Sequence, residues 1–180
     1  MSNDNLFGTA GVWERVIGGA DVVWPDEDVV RAAQRFFGDL TPEEHAQRRA
    51  LDIGFGSGRH IILLASQGFQ TAGIDVAQAA VEQTTDKLNR AGLKADFRVE
   101  ELSSTTFEPG SFDFIVAWGV LFLKPDAELK ADLRKVYDLL KPGGAMIANF
   151  RTLNNWFYGF GEQQGENLYL LDERAEGYAG

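Results

Sequence analysis

From residue 50 onward the chain alternates short apolar runs with stretches of helical spacing, and glycines mark the joints. Leu51-Asp52-Ile53 reads as a short strand, Gly54 to Gly58 as a turn, and Arg59 to Gln67 as a helix ended by Gly68. Thr71 to Asp75 is a second strand. Ala77, Ala80, Val81, Thr84, Leu88 and Ala91 then keep helical spacing up to Gly92. Ala95 to Val99 is a third strand, followed by a loop through Phe107. Phe112 to Trp118 is an apolar run, the pattern of a strand buried on both faces of a parallel sheet. Asp126 is placed to cap a helix striped by Leu129, Leu133, Val136, Tyr137 and Leu140. Lys141-Pro142-Gly143-Gly144 ends that helix, and Ala145 to Phe150 is a fifth strand. Strands alternating with helices predict an α/β fold, a doubly wound parallel sheet with right-handed crossovers.

The flanks differ from this core. Val12, Trp13, Val16 and Ile17 are spaced like a short amphipathic helix. Asp26-Glu27-Asp28 opens a second helix with an acidic first turn, an apolar stripe through Phe37 and a stop at Gly38. Thr41-Pro42-Glu43-Glu44 has the cap, proline and reciprocal glutamate of another helix start. Residues 1–49 are therefore expected to form a helical lid on a core at 50–150, within one domain spanning 1–180. Residues 151–180 are glycine- and aromatic-rich without clear periodicity, with a strand expected at Asn167 to Leu171.

Composition narrows the function. At 180 residues the chain is one domain by a rule of about 150 residues per domain. It has no cysteine, which removes disulfides, thiol nucleophiles and cysteine-held metals; two histidines leave little for a metal centre. Seventeen basic against 27 acidic side chains, a net charge of −10, argue against nucleic-acid partners. No signal-peptide pattern opens the chain, and no apolar run approaches the roughly 18–20 residues that span a membrane, so a cytoplasmic protein is expected.

The chemistry concentrates in Asp52-Ile53-Gly54-Phe55-Gly56-Ser57-Gly58, between a strand and a helix. Gly54 suits a tight turn, Gly56 a close approach of backbone to a ligand, and Gly58 the packing of helix on strand. The dinucleotide fingerprint Gly-x-Gly-x-x-Gly would put its third glycine at position 59, which is Arg59. Asp75 ends the second strand 21 residues after Gly54, where a carboxylate can accept from ribose hydroxyls. Asp52 can accept either from backbone amides of the turn or from a cationic ligand. His60 is expected to pack beside the helix start rather than act as a base, and His45, among polar neighbours, to be solvated.

Leu-Asp-Ile-Gly-Phe-Gly-Ser-Gly-Arg-His, Ala-Gly-Ile-Asp-Val, Ser-Phe-Asp-Phe-Ile-Val-Ala-Trp-Gly-Val-Leu and Leu-Leu-Lys-Pro-Gly-Gly, in that order, resemble the motifs of class I S-adenosylmethionine-dependent methyltransferases over Leu51 to Phe150. The resemblance implies a Rossmann-like sheet in the order 3-2-1-4-5 and S-adenosylmethionine as cofactor, with S-adenosylhomocysteine as product. It implies that Asp52, Gly54, Gly56 and Gly58 meet the methionine end, Asp75 the ribose, and Glu101 and Leu102 the adenine. Trp118, at the end of the fourth strand, is expected to border the cofactor and wall the acceptor pocket, or else to pack in the core.

The resemblance further implies methyl transfer to an oxygen or nitrogen of a small molecule, with no metal. Asn/Asp-Pro-Pro-aromatic is replaced by Ala117-Trp118-Gly119-Val120, which argues against nucleic-acid and protein-glutamine methylation. Trp13 and Trp24, with Phe7, are expected to close over the site. The family's last two strands form a hairpin that the pattern does not show, so one sheet edge is expected to be uncovered and open to pairing with a second copy. Two other readings stand beside this one: a cofactor-binding domain that works only with a partner chain, and a nicotinamide oxidoreductase.

Overall fold

All six residues of Phe112–Ala117 are buried, and a strand hidden on both faces must lie inside a sheet covered by helices. The computed structural model describes residues 13–14, 21–156 and 158–170. Its main sheet is built from β1 (Arg49–Ile53), β2 (Gln70–Asp75), β3 (Asp96–Val99), β4 (Phe112–Ala117) and β5 (Leu140–Ala148), all parallel, in the order β3-β2-β1-β4-β5. The helices are α1 (Glu27–Phe37), α2 (Pro42–His45), α3 (Arg59–Ser66), α4 (Gln78–Ala91) and α5 (Asp126–Leu139). Alternate residues of β1 and β4 serve opposite faces. Leu51, Ile53, Ile115 and Ala117 pack with Val136 and Leu139 of α5, whereas Ala50, Phe114 and Val116 pack with Val29 and Ala33 of α1 and Leu64 of α3.

The local signals at helix starts hold where the chain supplies its own cap. Asp26 caps α1 by accepting from the Asp28 N–H at 3.2 Å, and Thr41 and Glu44 cap α2 reciprocally. Asp126 does not cap α5: Pro125 occupies that position, and Asp126 is the first helical residue with no side-chain cap bond. At α4 the cap comes from far away. Glu14 accepts from the N–H groups of Gln78 at 2.5 Å and Ala79 at 3.0 Å, placing a carboxylate on two amides at the positive end of the helix. Trp13 and Glu14 are helical; the remainder of the expected first helix lies outside the described residues, as does Phe7.

Three expectations are corrected. β5 begins at Leu140, not Ala145: Pro142 has no N–H to donate and Gly143 sits at φ +80°, so the strand bulges and regains register at Ala145 opposite Phe114. A C-terminal hairpin does exist, β6 (Glu162–Gly165) antiparallel to β7 (Leu168–Leu170), but it forms its own two-stranded sheet rather than extending the main one. Among the described residues β5 therefore pairs on one side only. His45 is not solvated. Its Nδ1 lies 2.7 Å from the Gln67 carbonyl, its Nε2 2.8 Å from the Phe37 carbonyl, and its ring stacks on Phe69. No described helix is long and apolar enough to cross a membrane.

Candidate functional site

In a parallel sheet the carboxyl ends of the strands share one edge, and the chain segments leaving the paired strands β1 and β4 go to opposite faces there because the strand order reverses between them. The glycine turn fills that crevice. Gly54 (φ +66°) donates to the Ile74 carbonyl at 2.8 Å, and an added Cβ would come within 2.9 Å of Val120, so the segment after β4 closes directly over it. Gly56 (φ +50°) has no heavy atom within 4 Å of where its Cβ would stand, leaving its backbone open to a ligand. Gly58 (φ +77°) begins α3, but its close neighbour is Thr84 of α4, at 2.3 Å from an added Cβ; it brings helix against helix, not helix against strand.

Two buried acids flank the turn. Asp75 accepts from the N–H of Gly56 at 2.9 Å and of Ala77 at 3.0 Å. Burial raises its pKa, against the opposing effect of the Ala77, Gly56 and Val76 N–H groups, with Glu14 adding to the rise. Asp52 is 1% exposed, and its Oδ2 has no hydrogen-bond partner. Burial pushes its carboxyl well above the usual carboxylate range; Asp75 adds to this and Arg59 opposes it. A buried carboxylate oxygen with no donor is costly unless a cation or N–H arrives to meet it.

The comparisons with known proteins match this arrangement. A methyltransferase-domain family model covers residues 50–144, the span from β1 to the start of β5. The chain belongs to the class I S-adenosylmethionine-dependent methyltransferase family. The chain is 35% identical over 112 residues to a ubiquinone biosynthesis O-methyltransferase of Xanthomonas euvesicatoria, covering 62% of this chain and 45% of the relative. It is 31% identical over 148 residues to the EEF1A lysine methyltransferase 2 of Danio rerio, covering 78% and 61%. Among solved structures, a Haemonchus contortus phosphoethanolamine N-methyltransferase 2, in complex with phosphomonomethylethanolamine and S-adenosylhomocysteine, superposes with a TM-score of 0.58 at 23% identity, covering 77% of this chain and 32% of that one. This chain thus spans about half the length of the relatives it matches. Family membership replaces the nicotinamide reading.

For this methyltransferase domain the residues fit the cofactor. The orphaned Asp52 Oδ2 suits an ammonium at the methionine end, and the open amide face at Gly56 gives the ligand backbone to lie against. Glu101 is exposed and accepts from Ser103 Oγ at 3.3 Å, while Leu102 is buried and opens a short 3₁₀ turn. The preceding Glu100 donates its N–H to the Asp75 carbonyl at 3.0 Å, which brings this pair beside the end of β2. Trp118 is half-buried against the cluster of Val29, Phe114 and Val116. Trp13 packs near Phe55 and Ala77. Trp24 is 83% exposed, so in this conformation it does not line the site.

Several residues at the site escaped the sequence reading. Asp21 to Asp26 cross the turn as a strap: Lys87 Nζ donates to Asp21 at 2.5 Å and to the Ser57 carbonyl at 2.8 Å, Ser57 Oγ to the Val22 carbonyl at 2.8 Å, and Arg59 to the Trp24 carbonyl at 3.3 Å. Asn149, just past β5, accepts from the Gly119 N–H at 2.6 Å and so fixes the backbone beyond β4. An asparagine where the fifth strand runs out was the one available sequence signal for this contact.

His60 is 3% exposed and behaves as a brace. Its Nε2 accepts from the Asp26 N–H at 3.2 Å, and its Nδ1 lies 3.8 Å from Asp52. Its pKa is lowered to about 4, first by burial and then by Arg59, with Asp26 opposing. The unfolded imidazole takes up its proton near the ordinary value of 6.5, so stability is lost as pH falls from there toward 4, by up to on the order of 3 kcal/mol. The raised pKa values of Asp52 and Asp75 act in the opposite direction, so the comparison needed is His60→Gln against wild type. Denaturant midpoints from pH 7 to pH 4 should fall less steeply in the variant; equal slopes would rule out the neutral brace.

Proposed function

We propose that this domain transfers a methyl group from S-adenosylmethionine to an oxygen or nitrogen of a small molecule. The observation that carries this reading is a cavity of about 290 Å³ beyond the ends of β4 and β5, walled by Phe122, Leu123, Tyr158, Tyr169 and Leu170. That volume lies at the small end of ligand sites, about 300–1,000 Å³. Val120, which covers Gly54, comes two residues before Phe122 of the cavity wall, and this short link in the chain supports reading the cavity as the acceptor site. Relatives named for O-methyl and lysine transfer span both acceptor elements.

S-adenosylmethionine supplies a sulfonium-activated methyl group, which asks the protein mainly for alignment and exclusion of water. Asp52 receives the ammonium, Asp75 the ribose, Glu101 and the Leu102 amide the adenine, and Trp118 borders the acceptor. His60, neutral and already accepting a backbone N–H, holds α1 to the turn and takes no substrate proton.

The test is methyl transfer from radiolabelled S-adenosylmethionine to a panel of phenols, carboxylic acids, amines and amino acids. Label recovered in a small organic product supports the reading. Cofactor binding with no labelled product from any acceptor class would favour the domain that needs a partner chain.

A further inference from the structure

We propose that His60 is a positioning residue for the cofactor: its Nδ1–H, aimed by a backbone amide of the strap, steadies the Asp52 carboxylate that receives the ammonium. The proposal rests on the reading of Asp52 as the ammonium's partner. The tautomer follows from geometry. A backbone N–H can only donate, and the Asp26 N–H reaches His60 Nε2 at 3.2 Å, so Nε2 carries the lone pair. The ring is neutral, its pKa lowered to about 4 by burial and by Arg59, so its single proton sits on Nδ1. Nδ1 in turn lies 3.8 Å from Asp52 Oδ2, the buried oxygen that has no hydrogen-bond partner. A side-chain adjustment of roughly an ångström would turn that separation into a hydrogen bond.

The other charged groups near Asp52 are engaged elsewhere. Arg59 donates to the Trp24 carbonyl at 3.3 Å, and Asp75 accepts from the Gly56 and Ala77 N–H groups. Among the described residues no lysine or arginine forms an ion pair with Asp52. The strap touches the turn and its surroundings through Lys87, Ser57 and Arg59, whereas the Asp26 amide continues inward, through an imidazole, toward a buried acid. When an incoming ammonium keeps that acid ionised, Nδ1–H is the donor in place for the carboxylate's remaining lone pairs. Charge-assisted bonds of this kind are roughly twice as strong as neutral ones. The coupling is reciprocal: the strap that sets the tautomer strengthens the hold on the ammonium, and the ammonium stabilises the strap.

The test compares calorimetric affinities for S-adenosylhomocysteine and for methylthioadenosine, which keeps the nucleoside and thioether but lacks the amino-acid end. His60→Phe fills the space of the ring without its nitrogens, and His60→Asn, though smaller, can return an N–H close to the Nδ1 position. His60→Phe should weaken S-adenosylhomocysteine at least about fivefold and methylthioadenosine by less than about twofold. His60→Asn should regain part of that difference. A residue that only packs would weaken both ligands together and leave His60→Asn the worse variant; either result overturns the proposal. In an Asp52→Asn background the His60→Phe effect should vanish, and a loss that persists there also overturns it. Asp26→Pro removes the amide at a position whose φ of −67° suits proline, and should reproduce the ligand pattern of His60→Phe. Asp26→Ala, which loses only the helix cap, should not; should Asp26→Pro fail to fold, the two His60 variants decide. Imidazole nitrogen NMR shifts, assigned by their disappearance in His60→Phe, should show Nδ1 protonated and Nε2 bare, and the reverse overturns the proposal. Failure of wild type to bind S-adenosylhomocysteine would remove the methyltransferase reading itself. A ligand ratio unaltered by Asp52→Asn alone would remove Asp52 as the ammonium's partner, and both are visible before His60 is changed.

Discussion

Asp75→Ala is expected to weaken S-adenosylmethionine binding by more than about tenfold, or ~1.4 kcal/mol, in calorimetric titration. Two losses combine. On the proposed reading the carboxylate accepts from the ribose hydroxyls, and charge-assisted bonds of that kind are stronger than neutral ones. It also accepts from the Gly56 and Ala77 N–H groups, so its removal frees the glycine turn and leaves two amides seeking partners. Asp75→Asn keeps one acceptor oxygen and should fall between wild type and alanine. Unaltered affinity in the alanine variant, with the fold intact by circular dichroism, would remove Asp75 from the cofactor site.

Gly58→Ala is expected to lower the melting temperature by roughly 5–15 °C, at about 2–4 °C per kcal/mol for a chain of this size. The backbone at φ +77° disfavours any side chain, a strain of about 1–3 kcal/mol. The new methyl would also stand 2.3 Å from Thr84 Cγ2 and 2.4 Å from its Oγ1, and forced overpacking adds about 1–3 kcal/mol. Thr84 is fully buried and has no room to swing away. The double variant Gly58→Ala with Thr84→Ala separates the terms: it should recover the packing part and leave the backbone part. Additive losses in that cycle would mean that α3 and α4 do not meet as described.

What could be read in the sequence was mostly what neighbours in the chain decide. The Thr41–Glu44 cap spans four residues, the glycine turn five, and the strand Phe112–Ala117 declares its burial by composition. These features need no knowledge of the rest of the fold. His45 looked solvated because its sequence neighbours are polar, yet its partners are carbonyls brought to it by α1 and the end of α3. Glu14 caps a helix 64 residues away, and the Arg151 guanidinium meets the Phe122 ring only once the fold has brought the two together. The start of β5 was missed for another reason. Pro142 and Gly143 are breakers in isolation, but a bulge at a sheet edge tolerates both.

The hairpin β6–β7 shares no strand pairing with the five-stranded sheet, yet it contributes Gln164, Asn167, Leu168, Tyr169 and Leu170 to the cavity. The family model covers residues 50–144, so the part of the chain that grips the cofactor and the part that shapes the cavity beyond Arg151 are separate tracts. Side chains in the second tract are free to drift without breaking a ladder hydrogen bond or opening a void in the main core. If the cavity takes the acceptor as proposed, a lineage can exchange one acceptor for another by changing a few residues of an independent ribbon, while the machinery that delivers the methyl group is inherited unaltered.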